Sequence, residues 1–335
     1  MTEGISHATA ARFAGRRVLI TGGLGFIGSN LARRLSGYGA RVTLVDSLVP
    51  EYGGNLFNIS GIEADVRVNI SDVRDEHSLA YLVRDEDYLF NLAGQTSHLD
   101  SMQDPYTDME INCRAQLSIL EACRKHNPQI RIVFASTRQL YGRPDYLPVD
   151  EKHLLRPVDV NGINKMAGER YHILYHQAHG LKSCALRLTN TYGPRMRIKD
   201  ARQTFLGVWI RCLVEGGSFE VWEGMQRRDF NFVDDAVDAL LLAVTNDSAI
   251  GGVFNLGSSE VVSLEELAEL LVMLHGSGSF VRNSFPAERK LIDIGDYYAD
   301  CSLINNTLGW QARVPLRDGL MRTLKFYQEH LSEYV

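Results

Sequence analysis

A chain of 335 residues, 45% hydrophobic and 23% charged, has ordinary globular composition and enough apolar material for a large core. Its net charge of −6 argues against nucleic acid or an anionic membrane surface as a partner, and no apolar run long enough for a transmembrane helix occurs. Met1 to Gly15 lack an apolar signal core and read as a frayed tail, while five scattered cysteines without a Cys-x-x-Cys read as reduced thiols of a cytoplasmic protein.

Along the chain, apolar runs alternate with helical patterns. Arg17–Thr21, Arg41–Asp46, Asp65–Asn69, Asp87–Leu92, Ile130–Ser136 and Ser183–Thr189 read as strands. Phe26–Ser36, Pro105–His126 and Gly162–His179 read as the helices between them. Continuous runs such as Val18-Leu19-Ile20 and Ile132-Val133-Phe134 suit strands covered on both faces. The fold class is therefore α/β, a doubly wound parallel sheet of the Rossmann type. After Pro194 the spacing changes. A helix at Gln203–Val214 precedes a strand at Phe219–Trp222, a helix at Val233–Thr245, a strand at Val253–Leu256 and a helix at Leu264–Leu274. Gly276–Asp296 reads as mostly irregular, and Leu316–His330 as the final helix. Residues 16–195 then form the nucleotide-binding part, with a return near 230–257, and 196–335 form mainly a smaller mixed substrate domain.

The first strand runs into Thr21-Gly22-Gly23-Leu24-Gly25-Phe26-Ile27-Gly28 and then into an amphipathic helix. Gly23, Gly25 and Gly28 satisfy G-x-G-x-x-G, and Gly22, Gly25 and Gly28 satisfy G-x-x-G-x-x-G. Glycines allow backbone N–H groups to approach a pyrophosphate at the helix N-terminus, and the strand before and helix after are the context this requires. Asp46 closes the second strand, 18 residues beyond Gly28. A carboxylate there accepts hydrogen bonds from ribose hydroxyls and repels a 2′-phosphate, so the expected cofactor is NAD rather than NADP.

Further motifs follow in order: Asp72-Val73, Asn91-Leu92-Ala93-Gly94, Ser136-Thr137-Arg138-Gln139-Leu140-Tyr141-Gly142, Asn190-Thr191-Tyr192-Gly193-Pro194-Arg195 and Arg228-Asp229-Phe230. With the glycine loop, they make the chain resemble the extended short-chain dehydrogenase/reductases that modify nucleotide sugars. That family includes UDP-glucose 4-epimerase, UDP-glucuronate decarboxylase and dTDP-glucose 4,6-dehydratase. The resemblance implies that Gly22, Gly25, Phe26, Ile27, Gly28 and Asp46 contact NAD. It places Asp72 and Val73 by the adenine, Leu92, Ala93, Gly94 and Gln95 along the cofactor, and Thr189 by the nicotinamide. Thr137 would hydrogen-bond the sugar oxygen being oxidised, and Lys165 would hold the nicotinamide ribose. Asn190 and Arg228 would meet the substrate diphosphate, and Lys290, or Arg289 beside it, would be a second cation there. Thr204, Val221 and Trp222 complete the implied substrate contacts, Val221 and Trp222 flanking the base. The substrate implied is a nucleotide sugar, most simply a UDP-sugar. Related enzymes also pair two helices across a two-fold axis, so a homodimer through 105–126 and 162–179 is expected, with apolar Leu117, Leu120, Ile173 and Leu174 on those helices.

Departures from the family pattern matter as much. The segment Val160-Asn161-Gly162-Ile163-Asn164-Lys165 has Asn161 where a Tyr-x-x-x-Lys pair would carry its phenol, and no such pair occurs elsewhere. A tyrosine beside an ammonium can exchange a proton, whereas an amide cannot. Arg138 and Gln139 stand where dehydratases keep an Asp-Glu pair, which argues against water elimination. Asn164 replaces the usual Ser or Thr. His98, in Ser97-His98-Leu99-Asp100, is the candidate to move the proton, with Lys165 and Tyr141 as the other choices. For His98 and Trp222 the sequence leaves a packing role equally open. His172, His176 and His179 have helical ligand spacing but no carboxylate in frame, so no metal site is expected. Three activities stay open: an NAD-dependent epimerase, expected to act at C4 through a keto-sugar; a UDP-glucuronate decarboxylase, suggested by Gly193-Pro194-Arg195-Met196 and Asp200-Ala201-Arg202; and a binding protein without turnover.

Overall fold

Aliphatic runs without polar alternation build the centre of the molecule. The computed structural model describes residues 7–202, 204–286 and 293–335. Its strands in chain order are β1 (Arg17–Thr21), β2 (Arg41–Asp46), β3 (Val66–Ile70), β4 (Tyr88–Asn91), β5 (Arg131–Thr137), β6 (Lys182–Leu188), β7 (Asn190–Tyr192), β8 (Ser218–Trp222), β9 (Arg227–Phe232), β10 (Val253–Asn255), β11 (Val261–Ser263) and β12 (Ser279–Asn283). Seven of them form one parallel sheet in the order β10-β6-β5-β4-β1-β2-β3. Side chains of a strand alternate between faces, so Val18 and Ile20 enter one apolar layer while Leu19 enters the other. Burial on both sides explains why these runs carry no polar positions. The chain winds outward from β1 to β3 and returns at β4, so the order reverses between β1 and β4. That reversal opens a crevice at the carboxyl ends of the strands.

Helices cover both faces: α1 (His7–Ala11), α2 (Phe26–Gly37), α3 (Glu76–Leu82), α4 (His98–Gln103), α5 (Pro105–Met109), α6 (Ala115–His126), α7 (Val160–His179), α8 (Phe205–Val214), α9 (Val233–Thr245) and α10 (Leu264–His275), followed by helices Ser302–Leu308 and Leu316–His330. Among the described residues no helix is long and apolar enough to cross a membrane. The single helix expected over 105–126 is broken by a π turn at Glu110–Arg114. The helix expected from Gln203 starts at Phe205, capped by Thr204, whose Oγ1 accepts from the Leu206 N–H; Gln203 lies outside the described residues.

Three local expectations change. The N-terminal tail is docked in its second half, where Phe13 is fully buried and packs on Tyr38 and Tyr88. Within the stretch read as irregular, Ser279–Asn283 is a strand pairing in parallel with β8. Its side chains are largely exposed, so no hydrophobic alternation marks it. Arg227–Phe232, seen only as a motif, is the middle strand of a three-stranded sheet β11-β9-β7. The helical histidines diverge: His172 stacks on Phe134 with Nδ1 at Ser183, while His176 Nδ1 meets the Leu181 carbonyl. Leu120 is fully buried in the core, so it cannot serve an outward interface.

Behind the crevice lies a dry ion pair. Arg187 on β6 and Glu169 on α7 are joined by bonds of 2.6 and 2.9 Å, and their side chains are 2% and 0% exposed. Ser136 donates to Glu169 at 2.6 Å, and the Tyr141 hydroxyl accepts from Arg187 and donates to Asn255, each at 2.6 Å. Removing one partner leaves a buried uncompensated charge, which costs about 3–5 kcal/mol. Arg187→Met should therefore lower unfolding free energy in urea by that amount, and adding Glu169→Gln should recover part of it. Equal stability of Arg187→Met and the native chain would refute the assignment.

Candidate active site

The crevice is a single cavity of about 1000 Å³ running along the carboxyl ends of β1, β4 and β5. At one end lie Gly22, Gly25, Phe26, Ile27 and Gly28, with Asp46, Asp72 and Val73 beyond them. The loop is packed so tightly that a Cβ at Gly28 would sit 2.2 Å from the Gly22 carbonyl oxygen. Gly22 itself takes φ 69°, where a side chain is strained. Asp46 braces this loop: its two oxygens accept from the Leu24 and Leu48 N–H groups, each at 3.0 Å. Burial raises its carboxyl above the usual range, with those two bonds opposing. Asp72 is paired with Arg74 at 2.6 Å, and that bond lowers its pKa.

The middle of the cavity is lined by Leu92, Ala93, Gly94, Thr137, Lys165, Asn161 and His98. Asn161 is held away from any exchange chemistry by its own bonds. Its amide nitrogen donates to the Gln95 carbonyl at 2.8 Å, to Gln95 Oε1 at 3.2 Å and to Asp108 Oδ2 at 2.9 Å. Asn164 donates to Asp108 Oδ1 at 2.8 Å, and Asn112 to Asp108 Oδ2 at 3.0 Å. Asp108 is fully buried, so three amides replace its hydration. Asn161 and Asn164 are thus two parts of one device, both donating to the same carboxylate. Lys165 is also buried, 3.3 Å from the Ala135 carbonyl and 5.2 Å from the centre of the Phe134 ring. Burial draws its ammonium down to about 8, with the Asp108 charge opposing.

His98 stands on the first turn of α4, where Ser97 caps the helix. Its Nδ1 lies 2.8 Å from Asp159 Oδ2, and its Nε2 lies 2.8 Å from Gln139 Nε2. Asp159 is the N-cap of α7, its other oxygen accepting from the Gly162 N–H at 2.6 Å. Burial pushes the Asp159 carboxyl up, but His98, the Gly162 N–H and the Arg138 charge together bring it below the ordinary range. The result is a cavity-lining histidine oriented on one side by a buried carboxylate and on the other by the Gln139 amide. Tyr141, the alternative phenol, drops out: it is fully buried behind the cavity wall, tied to Arg187 and Asn255, and mainly through burial pushed up to about 12.

At the far end, Thr189, Asn190, Thr204, Trp222, Arg138 and Arg228 line the wall. The Thr189 hydroxyl donates to buried Asp229 at 2.6 Å. Arg228 is bonded to the Arg227 and Gly295 carbonyls and lies 3.6 Å from Asp293. Burial and, next, the neighbouring charge of Arg138 draw it down to about 10. Two expected contacts are corrected. Val221 is fully buried in the core, because strand alternation gives the cavity side of β8 to Trp222. Gln95 does not line the cavity, since its carbonyl and side chain are turned to Asn161. Lys290 and Arg289 lie outside the described residues.

Asp108, Asn112 and Asp159 escaped the sequence reading. Asp108, Asn112 and Gln116 recur every four residues as a polar stripe running through α5, the π turn and α6, and Asp159 has the N-cap position before α7.

Residues 18–257 match the NAD dependent epimerase/dehydratase family. The chain belongs to that family. It is 30% identical to a putative UDP-glucose 4-epimerase of Methanocaldococcus jannaschii, over 93% of this chain and 99% of that protein. It is 29% identical to UDP-glucuronic acid decarboxylase 1 of Xenopus tropicalis, over 95% of this chain and 73% of that one. It is also similar to the crystal structure of a dTDP-glucose 4,6-dehydratase from Streptomyces venezuelae with NAD bound, at 26% identity, TM-score 0.85, and coverage of 95% and 98%. The family makes this an NAD-dependent nucleotide-sugar enzyme. The glycine cradle that a Cβ at Gly28 would fill, opening on the cavity beside Asp46, fits that cofactor.

Lys165 yields a test with a definite sign. Its pKa falls from 10.5 to about 8 on folding, so below about pH 8 both states hold the proton and the folded state bears the full burial penalty. Between about 8 and 10.5 only the unfolded chain holds it, and stability rises with pH. Lys165→Met should therefore be more stable than the native chain at pH 7, by roughly 3 kcal/mol. That gap should close as pH climbs through the window. Urea melts at several pH values check this, and a gap that stays constant contradicts a lowered pKa.

Proposed function

We propose that the protein is an NAD-dependent epimerase of a nucleotide sugar, inverting C4 through a transient ketone. The observation that carries this reading is the continuity of one cavity from the glycine cradle, past Thr137, Lys165 and His98, to Arg228. A nucleotide sugar needs that sequence of surfaces: a hydroxyl partner beside the cofactor and a cation for its diphosphate. The acid–base pair needed for dehydration is absent, Arg138 and Gln139 standing after Thr137.

In this reading the glycine loop, Phe26, Ile27 and Asp46 hold the adenosine diphosphate half of NAD, with Asp72 and Val73 by the adenine. Lys165 holds the nicotinamide ribose. Bound NAD supplies a hydride acceptor at the sugar carbon and the hydride for its return. Thr137 orients the sugar hydroxyl. His98 Nε2 takes the hydroxyl proton in place of its hydrogen bond with Gln139, while the Nδ1 proton stays on the ring and is held by the Asp159 carboxylate, which stabilises the imidazolium. After the ketone turns over, the same nitrogen gives the proton back. Arg228 grips the diphosphate, which serves as the pivot, and Trp222 flanks the base. Asn161 has no proton to exchange and positions Gln95 and Asp108 instead.

His98→Gln and Asp159→Asn should each slow turnover by roughly 100-fold or more while leaving NAD affinity unchanged. Lys165→Met should lose both rate and NAD. The assay is a panel of UDP-sugars with product NMR. An epimer as product supports the proposal, a pentose with release of carbon dioxide points to the decarboxylase, and no turnover of any member points to a binding protein. Full activity in His98→Gln would remove His98 from the proton path.

A homodimer through α5–α6 and α7 accompanies this reading. The outward faces of these helices expose Tyr106, Met109, Ile163 and Leu174, each at least 41% accessible. Light scattering at micromolar concentration should give twice the chain mass, and Ile163→Arg with Leu174→Asp should give monomer. A native monomer would sink the dimer.

A further inference from the structure

The guanidinium of Arg138 is placed with unusual firmness, and one of its nitrogens is left without a partner. It follows Thr137 directly, on the short turn Arg138–Tyr141 at the end of β5, and lines the cavity. Its Nη2 donates to Asn190 Oδ1 at 3.1 Å, and its Cζ lies 5.1 Å above the centre of the Tyr297 ring. Asn190 is itself fixed by donating to the Asp229 carbonyl at 2.9 Å, and Tyr297 is 1% exposed. Both the edge and the face of the guanidinium are therefore fixed by groups that cannot move far. Yet its Nη1 is buried without a hydrogen-bond partner, and among the described residues no carboxylate forms an ion pair with it. Nearby acidic groups do not fill the gap. Asp229 is engaged by Thr189 and the Ala299 N–H, and Asp159 by His98 and the Gly162 N–H. Arg228, the other cation at this end, has its own carboxylate in Asp293 and two backbone carbonyls.

A buried charge with unused donors is costly unless something arrives to meet it. A neutral sugar offers hydroxyl oxygens, which would satisfy the donors but leave the charge uncompensated. A carboxylate satisfies both, and a guanidinium matches it with two-pronged hydrogen bonds. The position also matters. Arg138 is next to Thr137, the hydroxyl that meets the sugar, whereas Arg228 comes from β9 on the substrate side. We propose that Arg138, oriented by Asn190 and Tyr297, is a carboxylate-reading subsite, so that the preferred substrate is a nucleotide sugar whose hexose carries an acid group. This rests on the nucleotide-sugar reading of the cavity, and it makes Arg138 a specificity-determining residue rather than a diphosphate ligand.

The test is calorimetric binding of UDP, UDP-glucose and UDP-glucuronate to the NAD-loaded enzyme, which needs no turnover. The native protein should bind UDP-glucuronate at least about 10-fold more tightly than UDP-glucose, the scale of one charge-assisted contact. Arg138→Gln should abolish that preference while UDP affinity stays within about twofold, and Arg138→Lys should keep part of the preference. Equal affinity of the native protein for the two sugars would overturn the subsite without any variant being made. So would an Arg138→Gln variant that loses UDP, UDP-glucose and UDP-glucuronate alike, because Arg138 would then belong to the diphosphate. If UDP binds and the uronate is not preferred, the subsite alone fails. If UDP does not bind either, the nucleotide-sugar reading falls with it.

Discussion

The dry pair of Glu169 and Arg187 sets the frame on which the site is built. It joins α7 to β6, and through Ser136, Tyr141 and Asn255 it also reaches β5, the turn after it and β10. Glu169 lies one helical turn beyond Lys165, and Ser136 lies next to Thr137. A slip of α7 along the sheet would therefore break the pair and separate Lys165 from Thr137 together. Burial makes the constraint strict, since neither charge has water to fall back on. The chemistry of the cavity depends on a contact that never touches a ligand.

The second constraint is the buried carboxylate of Asp108. Three amide side chains, from Asn112, Asn161 and Asn164, converge on it from the π turn and from α7. A phenol at position 161 would have to replace one of these donors, and a hydroxyl at position 164 would be too short to replace another. The space is occupied by a hydrogen-bonded network that solvates a charged carboxylate near Lys165. Across the cavity, Asp159 and Gln139 hold the two ring nitrogens of His98, each at 2.8 Å.

The two ends of the cavity show opposite electrostatic states. The cofactor end is finished: Asp46 and Asp72 already have hydrogen-bond donors within the protein. The substrate end is unfinished: Arg138 Nη1 has no hydrogen-bond partner, and burial and, next, the Arg138 charge lower the proton affinity of Arg228. Charge that a fold leaves unpaired inside a cavity is a description of what the cavity is shaped to receive.

What the sequence determined alone was everything governed by local pattern. The strand–glycine–helix unit, the acidic residue ending the second strand and the alternation of apolar runs with helices depend on near neighbours, so β1, α2, β2 and the doubly wound sheet were legible before any coordinates. Thr137, Lys165 and Arg228 were legible as site residues through the resemblance to the nucleotide-sugar enzymes, and His98 through its place after the fourth strand. The tertiary structure decided what depends on residues far apart in the chain. Only folding brings Asp159 to His98, 61 positions away, and Asp108 to Asn161, 53 away. Strand alternation, whose phase is set by packing, turned Val221 inward and Trp222 to the cavity. The partnerless Nη1 of Arg138 belongs to the same class: an arginine in a sequence always has donors, and only a folded protein can bury one without a partner.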